Sequence, residues 1–136
     1  MKKFLGFGAL CAMFALTLFA AMSEADLQKR MKSAGDNMGG LRKAMQAGSM
    51  ADVATHGQAI HDALKGTDEF WSAHKADKAV TWTKDGVAAA AALVAAAKAN
   101  NAADAKAASG KIGASCKGCH EAHREKVGEN QYKIKW

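Results

Sequence analysis

The sequence predicts an all-α protein, an antiparallel up-down-up-down bundle of four helices, and three observations carry that expectation. No proline occurs in 136 residues to break a helix. No stretch shows the apolar–polar alternation of a half-buried strand. Four segments instead carry apolar residues at helical spacing, opened by capping or acidic residues and in three cases followed by glycine. Short connections make consecutive helices antiparallel neighbours.

The first helix is expected from about Glu24 to Gln46, with Ser23 as cap, Glu24 and Asp26 in the first turn and Gly48 as its stop. Leu27, Met31, Ala34, Met38, Leu41 and Met45 advance along it in alternating steps of four and three, which is the seam of a packed bundle. Gly35, Gly39 and Gly40 interrupt this helix, each at roughly 0.5–1 kcal/mol relative to Ala. They suit close approach by a bulky group, or a bend. Ser49 opens the second helix, with Asp52 three residues on in a capping-box-like pattern. That helix runs to about Lys65 and stops at Gly66.

Residues 66 to 77 read as a loop with a short turn around Phe70 and Trp71. The third helix starts near Asp77 or Lys78 and continues through "VAAAAALVAAAKA" to Asn100. Alanine is the best helix former, and its small face lets helices approach closely. Asn101 caps the fourth helix, with Asp104 three residues on. That helix is expected to reach about Lys126 before Gly128 stops it. The tail "NQYKIKW" yields no reading, and neither a repeat nor a second domain is visible.

Residues 1–23 read as a secretory signal peptide rather than as part of the fold. Lys2 and Lys3 form a positive start, and Phe4 to Met22 is apolar apart from Thr17 and the glycines. Ala21 and Ser23 flank Met22 in an A-x-A-like cleavage signal, and a cut after Ala25 is nearly as good. The alternative is a retained anchor, since the run is about the minimum length to span a bilayer. Cys11 would leave with the signal, and Leu10 is too large to precede a lipidated cysteine. The remaining chain, residues 24–136, forms a single domain, exported to the periplasm, with no membrane contact once the signal is removed.

The formal charge of +6 falls by two on loss of Lys2 and Lys3. No basic cluster is interleaved with aromatics, so nucleic-acid binding is not indicated. The modest basic balance suits a solvated surface, or weak steering toward an acidic redox partner protein. Whether the chain pairs as a homodimer is left open by the sequence.

The chemistry is concentrated in "SCKGCHEAHR", Ser115 to Arg124. An exported pair of cysteines can close a disulfide, but a C-x-x-C redox motif usually sits beside a βαβ pattern, and none is present. Cys116, Cys119, His120 and His123 could in principle be zinc ligands, yet four ligands on two helical turns make poor tetrahedral geometry. C-x-x-C-H is instead the attachment signature of c-type haem. On a helix Cys116 and Cys119 are i and i+3, and Cys116 and His120 are i and i+4, so all three share one face. The two sulfurs can bond one porphyrin while His120 sits beneath the iron as proximal ligand.

A single C-x-x-C-H near the end of a short helical chain resembles the class II cytochromes c, the cytochrome c prime family and its low-spin relatives. The resemblance covers the chain after the signal and is most specific over "IGASCKGCHEAHR", Ile112 to Arg124. "LQKRMKSAGDNMGGLRKAM" resembles the first helix of the low-spin branch, whose sixth iron ligand is a methionine near the helix start. The resemblance implies that role for Met31 and one covalent haem c near one end of the bundle. Nothing in the sequence resembles a catalytic acid–base set facing a substrate pocket, so no enzymatic activity is expected. His123 departs from the Tyr or Phe usual in the family.

Helix levels reach Met31 independently. His120 lies about six residues, or roughly 9 Å, before the expected end of the fourth helix. The antiparallel first helix is at that level near position 30. Met38 and Met45 are displaced by about 10 and 20 Å more. A methionine on the seam is otherwise core filler.

His56, His61 and His74 have no companion at metal-ligand spacing and read as surface or packed residues, and His123 lies near the haem edge. Gly110 and Gly113 could let the porphyrin lie against the backbone, while Trp71, Trp82 and Trp136 read as core or end-packing residues. If methionine fills the sixth position, the protein carries single electrons between redox partners. If that position is empty, it binds small gases such as nitric oxide. A weak peroxidase is the lesser reading.

Overall fold

The computed structural model describes residues 21–129 and 131–136, so the expected leader falls, through residue 20, outside the described residues. Four long helices are present: α1 (Glu24–Ala47), α2 (Met50–Leu64), α4 (Asp77–Lys98) and α5 (Ala102–His123). The short α3 (Thr67–Ala73) sits between α2 and α4. The chain ends in two strands, β1 (Arg124–Gly128) and β2 (Gln131–Ile134). No helix among the described residues is long and apolar enough to cross a membrane.

The starts follow the capping chemistry. Ser23 Oγ accepts from the Asp26 amide at 3.1 Å, Ser49 Oγ from Asp52 at 3.4 Å, and Asn101 Oδ1 from Asp104 at 3.1 Å. These bonds satisfy amides that a helix leaves unpaired at its first turn. Gly48 closes α1 in the left-handed region, with φ of 69°.

Cross-helix neighbours fix the directions. Arg30 on α1 donates to the Lys65 carbonyl at the end of α2, while Asn37 meets His56 further back. Gly57 on α2 faces Leu93 and Val94 on α4, and Gly86 faces Leu64. Gly86 also faces Ser115 on α5, and Trp82 packs on Gly118. Each pair therefore runs antiparallel, and the bundle is up-down-up-down. α1 packs on α2, α2 on α4 and α4 on α5, but α1 and α5 make no comparable contact. The fourth side of the bundle is the open one.

The main core joins Leu41, Val53, Ile60, Ala90, Leu93, Ala105 and Ile112, all without exposure to solvent. A second, smaller cluster of Leu27, Phe70, Trp71 and Ala79 closes the end where α1 begins. Met31 packs against both.

Two expectations need correction. The stretch around Phe70 and Trp71 is a true two-turn helix, held by burial of Thr67, Phe70 and Trp71. The fourth helix stops at His123 rather than near Lys126, because Arg124 turns extended, with φ of −117° and ψ of 122°. The tail then pairs back antiparallel, with Arg124 opposite Ile134 and Lys126 opposite Tyr132. Gly128 belongs to that hairpin and does not stop a helix.

Candidate functional site

The last two turns of α5 carry Cys116, Cys119 and His120 on the side that faces α1 and α4. Together with Met31, Leu64, Trp71, Trp82, Thr83, Gly86 and Ser115 they line one narrow cleft, with a cavity of about 30 Å³. Its wall is almost wholly apolar. Cys116 packs against the main core and Cys119 against the smaller cluster, so the two sulfurs stand at the junction of the two. Both thiols are free and half-buried.

The electrostatics argue against a redox dithiol. Burial pushes the Cys116 thiol up, and burial together with the neighbouring Cys116 pushes Cys119 up to about 11. Reactive cysteines show the opposite shift, toward thiolate. Burial first, and then the Arg124 guanidinium 3.5 Å from Nδ1, hold the His120 imidazole below its ordinary pKa. A neutral imidazole is the form that binds a metal. Among the described residues no three His, Cys, Asp or Glu side chains converge to hold an ion by themselves.

Met31, from α1, lines the same cleft, although α5 ends three residues earlier than expected. Met38 and Met45 pack only against the main core. At Gly40 the close neighbour is another side chain. The ring of His56, hydrogen-bonded to Asn37 Oδ1 at 2.9 Å, lies over Gly40 and occupies its free face. A Cβ at Gly35, Gly39, Gly110 or Gly113 would meet no protein atom within 4 Å. Gly118, within the attachment motif, does face a close neighbour: a Cβ there would lie 2.8 Å from the Trp82 ring.

Trp71, Trp82, Thr83 and Gly86 belong to the cleft and were not expected there. Trp82 and Gly86 are four apart on α4, the only advance signal of a shared face. His61 pairs with Asp62 at the surface, and His123 packs on Trp71 with ring centroids 5.1 Å apart.

An apolar cleft with two adjacent thiols, a neutral histidine and a thioether from α1 fits a flat apolar macrocycle with a central metal. The comparison with known families agrees: the family described as cytochrome C' matches residues 64–124, which span α3, α4 and all of α5. The match supports a class II cytochrome c, a family of electron carriers and gas-binding proteins rather than enzymes. The chain is a haem-binding cytochrome, and its cofactor is covalently bound haem c. No curated protein and no solved structure matches the chain.

Proposed function

We propose that the protein is an exported, periplasmic carrier of single electrons, in which Cys116 and Cys119 hold the haem by thioethers and His120 and Met31 are the two axial ligands of its iron. The supporting observation is that Met31 and His120 line one apolar cleft from α1 and α5, the two helices that do not close on each other. The bound group supplies a one-electron ferric–ferrous couple. The chain's contribution is to fix its two faces and to keep water away.

His120 is carried by the same helix as the two thiols, so attachment and proximal ligation are a single placement. Met31 sits between the two core clusters, where its thioether is held by packing on both sides. His/Met ligation raises the potential relative to His/His. The apolar wall adds to this, because burial disfavours the more highly charged oxidised state. Redox partner proteins would exchange electrons at the exposed edge of the group.

The test compares Met31→Ala with Met38→Ala in the holoprotein. Met31→Ala is expected to turn a low-spin haem high-spin, lower the potential and open the iron to carbon monoxide, while Met38→Ala leaves all three unchanged. The reverse result would overturn the assignment of Met31. A high-spin unmutated protein would replace the carrier reading with the gas-binding one.

A further inference from the structure

We propose that the paired strands β1 and β2, with Lys135 and Trp136 after them, form a strap across the end of the haem cleft, with Trp136 as the residue that positions α3 and thereby Trp71. The proposal rests on the reading that the cleft holds the haem. β1 leaves α5 without a loop, and its pairing with β2 returns the chain to the start of the bundle. Ile134 then packs on the cluster of Leu27, Phe70, Trp71 and Ala79, the cluster that also receives Met31 and Cys119.

The strap is tied at both ends. The Lys135 amide donates to the His123 carbonyl at 2.9 Å, and the Lys135 carbonyl accepts from His123 Nδ1 at 3.1 Å. Lys135 Nζ reaches the Glu121 carbonyl at 3.2 Å. These bonds fasten the tail to the last turn of α5, directly after His120. Beyond them Trp136 stacks on His74, with centroids 4.5 Å apart and planes at 24°. It also lies 6.1 Å from Phe70 and 6.2 Å from Trp71.

α3 needs such a fastening. It has seven residues and no side-chain cap, and so short a helix does not persist without packing. α4 holds one side of it, and His74 and Phe70 present the other to Trp136. Trp136 remains 64% exposed, so its contact serves α3 rather than the core. Trp71 on the same short helix walls the cleft beside Met31. Loosening α3 therefore opens the cleft on the side where the sixth ligand sits.

The experiment uses holoprotein with Trp136 unchanged, Trp136→Ala and Trp136→Phe. Amide hydrogen exchange over Phe70–Ala73 and the rate of carbon monoxide binding to the ferrous protein are read in each. Loss of the aromatic contact is expected to raise both by roughly tenfold in Trp136→Ala. Trp136→Phe, which keeps a stacking ring, should stay within about twofold of the parent. His74→Ala removes the other half of the stack and should reproduce the Trp136→Ala result, which keeps the test decisive if Trp136→Ala does not mature.

Unchanged exchange in α3 would overturn the proposal. So would raised exchange with an unchanged carbon monoxide rate, because the strap would then be structural only. The spin state of the unmutated protein reads the Met31 assignment separately. Were it high-spin, the ratio between variant and parent would still report on the strap.

Discussion

The two ends of the bundle are built from different materials. At the end where α4 finishes and α5 begins, Ala44, Val53, Ala96, Ala97 and Ala105 meet, and small side chains let the backbones approach closely. At the other end Met31, Leu64, Trp71 and Trp82 stand around a cleft, Leu64 and Trp71 buried and Met31 and Trp82 only partly so. The alanine end supplies its own packing density. The cleft end is incomplete as protein alone, and its large flexible or flat side chains suit a large flat partner. The difference teaches how a chain of this length can hold a macrocycle: one end carries the stability while the other leaves a side unclosed between α1 and α5.

The largest effect should come from removing the attachment. Cys116→Ala combined with Cys119→Ala is expected to abolish covalent haem, seen as loss of one haem mass from the denatured chain. It should also unfold the cleft end first, with faster amide exchange in α3 and the start of α1 than in the alanine end. Uniform unfolding of both ends would break the contrast.

Next is Leu93→Ala, in the closed end, where Leu93 has no exposure to solvent. A truncation at such a site is expected to cost about 2–5 kcal/mol, read by denaturant melts, with the haem spectrum retained. A change of spin state would mean that the two ends are coupled more tightly than their packing indicates.

Gly118→Ala is smaller. The added methyl meets the Trp82 ring at 2.8 Å, and overpacking of that kind costs typically 1–3 kcal/mol. Unlike Leu93→Ala, it should disturb the haem absorption, because the strain falls within the attachment motif. Trp82→Leu in the same background should relieve it.

Smallest is Ser49→Ala, which removes the cap of α2 and should cost about 1 kcal/mol without touching the spectrum. It measures how independent the closed end is of the site.

The same contrast explains what was legible in the sequence. Ser23, Ser49 and Asn101 marked helix starts because capping is local, decided within three residues. That Cys116, Cys119 and His120 share one helix and one cleft was legible for the same reason, since one helix places all three. Placing Met31 in the cleft required the levels of two helices to be matched, and Met31 does line it although α5 ends earlier than expected.

What escaped depends on contacts distant in sequence. α3 spans two turns, too short for a periodic pattern to declare itself, and it persists by burying Phe70 and Trp71. The hairpin carries more charge than apolar content along Arg124–Gly128, and Ile134 and Trp136 anchor it to residues some sixty positions earlier. Trp82 could be recognised as a cleft residue only once its position against Gly118 was known.

The central claim is that Met31 and His120 close on the same iron across the open side of the bundle. The most direct measurement is the absorption spectrum of the unmutated holoprotein, oxidised and reduced, with carbon monoxide added to the reduced form. The expected result is a low-spin haem in both states that takes up carbon monoxide only slowly. A high-spin haem that binds carbon monoxide at once would contradict the claim and leave Met31 as a packing residue beside an open iron.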